Sequence, residues 1–150
     1  PVANAAPLPP PAEISALAGD PVRGKAAAGA CYACHRIAGT GVEFGPELTE
    51  FGKQQTREAI VEAIALPSAS ISHGYEGFEV TTKDGLTITG MALASGDPVI
   101  MKCMGGVVQT IPRSRIASMK KLTRSLMYEP ANLGLTAQSI ADITAFLKGL

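Results

Sequence analysis

Two cysteines three residues apart, with a histidine directly behind the second, constrain this chain more tightly than any other stretch of its 150 residues: Cys31-Tyr32-Ala33-Cys34-His35. In a helical run, thiols at i and i+3 fall one turn apart. The C-x-x-C-H spacing then lets them add to the two vinyl groups of a haem while the adjacent imidazole meets the iron. The pattern predicts one covalently attached haem c, held at Cys31 and Cys34, with His35 as the proximal iron ligand. Three simpler uses fit less well. A thioredoxin-like redox pair needs a strand before the motif, and the residues upstream read as helix. A zinc site needs about four ligands, and the spare candidates His73 and Cys103 form no second closely spaced pair. A Cys31–Cys34 disulfide closes too small a loop to stabilise much.

The rest of the chain supplies a frame for that motif. Asp20 before Pro21 reads as a helix cap with proline at the first helical position, so a helix is expected from Pro21 into the cysteines. Gly39, Gly41 and Gly45-Pro46 then mark a loop. Apolar residues at Ala59, Ile60, Ala63, Ile64 and Leu66 predict a second helix over Thr56 to Leu66, ended by Pro67. Alternation begins at Phe78, Val80 and Thr82 and resumes at Leu86 and Ile88, around an Asp84-Gly85 turn in which both positions are expected to take positive φ. Val99 to Met104 and Val107 to Ile111 flank Gly105-Gly106 and predict a second hairpin. A small antiparallel meander over about 76–111 follows. Thr136 is the expected cap of a terminal helix with one apolar stripe at Ile140, Ile143, Leu147 and Leu150.

A chain of this length with 46% hydrophobic residues supports one domain, placed at 19–150. Residues 1 to about 18, rich in proline and alanine, are read as a largely irregular segment, a linker or a stub left by processing, with room for a short turn over Glu13 to Ala18. Aromatics are scarce at 5% and tryptophan is absent, so the interior is aliphatic unless a large flat group is imported. Thirteen basic residues balance thirteen acidic ones, which argues against nucleic acid and anionic lipid as partners. No stretch reaches the roughly 20 apolar residues of a membrane helix, so no membrane span is expected.

The helix ending in C-Y-A-C-H, the G-P-E-L at Gly45 to Leu48, a late methionine and a terminal helix together resemble a class I c-type cytochrome over about Asp20 to Leu150. More narrowly, I-x-x-G-Y-E at Ile71 to Glu76, T-K-D-G at Thr82 to Gly85, I-P-R at Ile111 to Arg113 and S-L-M at Ser125 to Met127 resemble the Pirellula/Verrucomicrobium-type haem-binding domain. The resemblance implies a mainly α, helical cytochrome fold, with the meander read as an insertion. It also implies a role in one-electron transfer, with a dehydrogenase or an oxidase as redox partner protein. Pro46 is implied as acceptor for the second ring nitrogen of His35, and Met127 as the second iron ligand. The departure from the pattern is Tyr128, which stands where the family usually has proline.

Other residues compete for or support these roles. Met91, Met101 and Met104 lie in predicted strands, where methionine serves as packing; Met119 is a further candidate, and His73 would give a bis-histidine haem of lower potential. Tyr75 and Arg113 are expected to reach the haem propionates, which want hydrogen-bond donors. Arg113, Arg115, Lys120, Lys121 and Arg124 form a run without acids, read as a basic approach that steers an acidic partner. Cys103 is left without a partner, as a small buried hydrophobe or a thiol able to link chains. Covalent haem attachment points to a periplasmic or otherwise exported protein. A rival reading is a haem enzyme or gas sensor whose sixth ligand is displaceable.

Overall fold

The computed structural model describes residues 7–150, so the reading of 1–6 as irregular lies outside the described residues. From residue 11 that reading needs correction. Pro11 opens a short helix, α1 (Pro11–Ala16), whose Ile14 is fully buried. Its amphipathic face packs on later helices, and that burial orders a segment whose prolines favour extended chain.

Asp20 begins α2 (Pro21–Ala27) as expected, its carboxylate accepting from the N–H groups of Val22 and Arg23. The helix tightens into a 3-10 turn over Ala28–Ala33, which carries the first cysteine. A two-rung hairpin follows, β1 (Arg36–Ile37) with β2 (Thr40–Gly41). Then come α3 (Leu48–Gln54), which the periodicity did not predict, and α4 (Arg57–Ala65), capped by Thr56. The terminal helix α5 (Ala137–Lys148) has the expected Thr136 cap, closed reciprocally by Ser139.

Helices α2 and α5 meet backbone to backbone. Gly24 sits on the carbonyl of Asp142, and a Cβ there would also come 2.9 Å from the Cβ of Phe146. The buried carboxylate of Asp142 holds the junction from one side, accepting from Asp20 N at 2.8 Å, Arg23 Nε at 2.8 Å and Gln138 Nε2 at 2.9 Å. Below this crossing lies the helical core of Ile14, Ile37, Ile60, Val61, Ile140, Ile143 and Leu147.

The strands form a second core of their own. They are β3 (Gly77–Thr82), β4 (Thr87–Ala94), β5 (Val99–Cys103), β6 (Val108–Ile111) and β7 (Ile116–Lys121), antiparallel in the order β6-β5-β4-β3-β7. Val80, Val99, Met101 and Ile111 are buried together with Phe78, Ile116 and Met119 packed around them, all from the strands. Inward-facing residues of the edge strands β6 and β7 join those of the middle strands in this core.

Two expectations are corrected here. The fold is not mainly α: the five-stranded sheet is a body comparable to the helical one, reaching Lys121 rather than ending at about 111. The strand β7 was hidden because only Ile116 and Met119 turn inward, among the exposed Ala117, Ser118, Lys120 and Lys121. The β3–β4 turn also differs from the two-residue form. Thr82 and Leu86 close a three-residue loop in which Gly85 alone takes positive φ, +88°.

Candidate functional site

The cysteine motif sits at the end of a tightening helix. Cys34 N and His35 N both donate to Cys31 O, at 3.1 and 2.8 Å, which folds the motif into a single turn. The loop after it then doubles back: Val42 N donates to Tyr32 O at 2.9 Å, and Phe44 N and Gly45 N both donate to Cys34 O at 3.1 and 2.6 Å. Gly41 allows that return with φ of +106° and with its Cα against the His35 carbonyl, where no side chain fits.

The loop delivers Pro46 to the histidine. His35 Nδ1 lies 2.6 Å from Pro46 O. A carbonyl only accepts, so Nδ1 carries the proton and the lone pair of the neutral ring is on Nε2. Burial pushes the imidazole's affinity for a proton down, opposed by the Pro46 bond. The ring is therefore held as a neutral donor, the form a metal accepts. Gly45 lies flat on the same ring.

Cys31 and Cys34 are both half-buried free thiols, not joined to each other. Burial pushes both thiols above their ordinary titration range, so they stay protonated near neutral pH. Two neutral thiols one turn apart and an imidazole with Nε2 free are the donor set that covalent haem requires, and the residues fit that group. Met127, from the irregular segment before α5, is half-buried against the same helical core on which Cys31 and Tyr32 pack. Tyr75 lines a groove of about 350 Å³ beside the histidine loop, together with Arg36, Glu43, Gly45 and Glu47.

Arg113 is not in this region. Its Nε donates to Gly96 O at 3.0 Å, its Nη2 to Ser95 O, and its backbone N to Asp97 Oδ1 at 3.0 Å, so the guanidinium staples the β4–β5 loop. A propionate-binding role for Arg113 is thereby corrected. The basic run is corrected too. Strand pairing sets Lys120 against Glu79 at 2.8 Å, Lys121 against Glu76 at 3.4 Å and Arg115 against Asp84 at 3.3 Å. A row that reads as unopposed along the chain is matched across the sheet. His73 is fully exposed, 3.5 Å from Glu76, away from the helical core. Met101 is sealed in the sheet core, Met119 packs against it, and Met91 is buried opposite Gly77 on the other face. Cys103, half-buried at the end of β5, has its thiol pushed up by burial.

Sequence reasoning missed two participants. The closeness of Gly45 to the ring was foreshadowed only by a glycine next to the key proline. The hydroxyl of Tyr128, which donates to Met104 Sδ at 3.4 Å, left no signal, since the two lie 24 residues apart.

The cytochrome c family model matches residues 21–91, from α2 through the motif and the loop of Pro46 to the middle of β4. Over that span the chain is similar to the cytochrome c family, whose members are haem-binding electron carriers. It stops short of Met127 and α5. No curated protein matches the chain. Among the described residues, no helix is long and apolar enough to cross a membrane.

Proposed function

We propose that this chain holds a single haem c through Cys31 and Cys34, ligated by His35 and Met127, and passes one electron at a time between redox partner proteins in a periplasmic or otherwise exported compartment. The observation that carries the reading is the 2.6 Å contact of His35 Nδ1 with Pro46 O inside a C-x-x-C-H turn, which leaves Nε2 as the donor. When bound, the haem supplies a centre that cycles between ferrous and ferric iron.

The chain's own residues do the rest. Cys31 and Cys34 fix the attitude of the group to α2, and Pro46 with Gly45 fixes the plane of the imidazole, so little rearrangement accompanies a change of charge. A thioether from Met127 together with the His35 imidazole would favour the reduced state of the bound haem and raise its potential. Met127 suits that position because it is half-buried on the helical core on which Cys31 also packs. The narrower kinship with the Pirellula/Verrucomicrobium-type domain is consistent with T-K-D-G forming the β3–β4 turn and I-P-R ending β6. Tyr75 lines the groove beside the histidine loop, which supports a role for it as a donor to a haem propionate.

The test is expression alongside a haem-attachment system, followed by intact mass and absorption spectroscopy. One haem should be added covalently, lost in Cys31→Ala/Cys34→Ala. The ferric protein should show a sulfur-to-iron charge-transfer band that disappears in Met127→Ala. A chain that gains no haem mass, or a band indifferent to Met127→Ala, refutes the corresponding part.

A further inference from the structure

The segment that carries Met127 is held at points on both sides of that residue, and the sheet supplies two of them. On the near side, Ser125 N donates to Ser68 Oγ at 3.0 Å, and Leu126 packs on Gly77 at the root of β3. Gly77 is buried, and a Cβ there would lie 2.9 Å from Leu126 Cδ2 and 3.1 Å from Leu122 Cδ1, so the glycine is the seat for those leucines. On the far side, the Tyr128 hydroxyl donates to Met104 Sδ, in the turn between β5 and β6. That turn also meets the loop behind the cysteine motif: a Cβ on Gly106 would touch Val42 at 3.4 Å. Met104 is 45% exposed and Tyr128 47%, so neither is spent on the sheet's core.

We propose that the five-stranded sheet is a positioning device for Met127: Gly77 and Met104 grip Leu126 and Tyr128, the residues on either side of it, and thereby set how firmly its sulfur is offered to the group held by His35. The inference rests on Met127 being the second ligand. Proline, common at the position after such a methionine, stiffens a loop through its ring; here the Tyr128–Met104 contact supplies stiffness from outside the loop. Gly77, Met104 and Tyr128 are positioning residues in this scheme.

The experiment uses the haem-loaded protein and external imidazole as probe. Imidazole competes for the sulfur's place, so its apparent affinity reports the fraction of molecules in which Met127 has swung away. Tyr128→Phe and Met104→Leu each remove one hydrogen bond and should tighten imidazole binding about two- to fivefold, the factor one such bond represents. Gly77→Ala, which displaces Leu126, should tighten it more and weaken the sulfur-to-iron band, while far-ultraviolet dichroism stays that of the parent. Parent-like imidazole affinity and band in all three variants would overturn the positioning role alone, provided Met127→Ala abolishes the band. A band that survives Met127→Ala removes the ligand reading, and the positioning role with it.

Discussion

Gly45 lies against the face of His35 so closely that a Cβ on it would stand 2.8 Å from Nδ1 and 3.0 Å from Nε2. The ring is thus clamped on one side by glycine backbone and tethered at its edge by Pro46. Gly45→Ala should force the imidazole to tilt and lengthen the Pro46 bond. Overpacking of this kind costs about 1–3 kcal/mol, so the urea midpoint should fall. In the haem-loaded variant the Soret band should shift as the ring leaves its plane. An unchanged spectrum and midpoint would show that the loop simply moves aside.

Asp142 makes the fold acid-sensitive in a predictable direction. Its bond with Arg23, reinforced by Asp20 N and Gln138, holds the carboxyl well below the usual carboxylate range, against the opposing effect of burial. A carboxyl that titrates lower in the folded chain than its unfolded value of about 3.9 contributes stability above that pH and loses it as pH falls toward the folded value. Stability should therefore decline on acidification below about pH 4, with Asp142 as a main contributor. Asp142→Asn should cost about 2 kcal/mol at pH 7 by removing charge-assisted bonds, and should flatten the acid limb of stability against pH.

The α2–α5 crossing gives a second stability test, independent of charge. Gly24 contacts backbone, not the far end of a flexible side chain, so nothing nearby can turn away from an added methyl. Gly24→Ala should separate the helices and destabilise by about 3 kcal/mol, even though alanine is the better helix former. A melting temperature equal to the parent's would mean the helices slide without loss.

What could be read from the chain followed the range of the forces involved. Asp20, Thr136 and the C-x-x-C-H turn act within a few residues, and each is in the structure where its spacing puts it. The helix α1 and the strand β7 escaped because their order comes from distant partners: Ile14 from the helical core, and β7 from pairing with β3. The same reason undid the basic run, since Glu76, Glu79 and Asp84 are remote along the chain and adjacent across the sheet. Arg113 failed in the other direction. Its sequence motif suggested a ligand, while its guanidinium is consumed by the carbonyls of one loop.

Two methionines separate the candidate ligand from simple packing. The family match ends at Met91, which is 5% exposed on β4 directly across from Gly77, while Met127 lies outside the match and packs on the helical core, as Cys31 and Tyr32 do. If Met91 is packing, Met91→Leu keeps its volume and should leave both the charge-transfer band and the reduction potential at parent values, with stability changed by less than about 1.5 kcal/mol. Met127→His should behave differently. It exchanges a thioether for an imidazole, which stabilises ferric iron, so the band should vanish while the haem stays six-coordinate. The potential should fall by roughly 0.1–0.3 V, a fraction of the about 0.8 V that axial ligands span. Redox titration of both variants decides the matter: a fall confined to the Met91 variant would place the ligand on the sheet and make Met127 the packing residue.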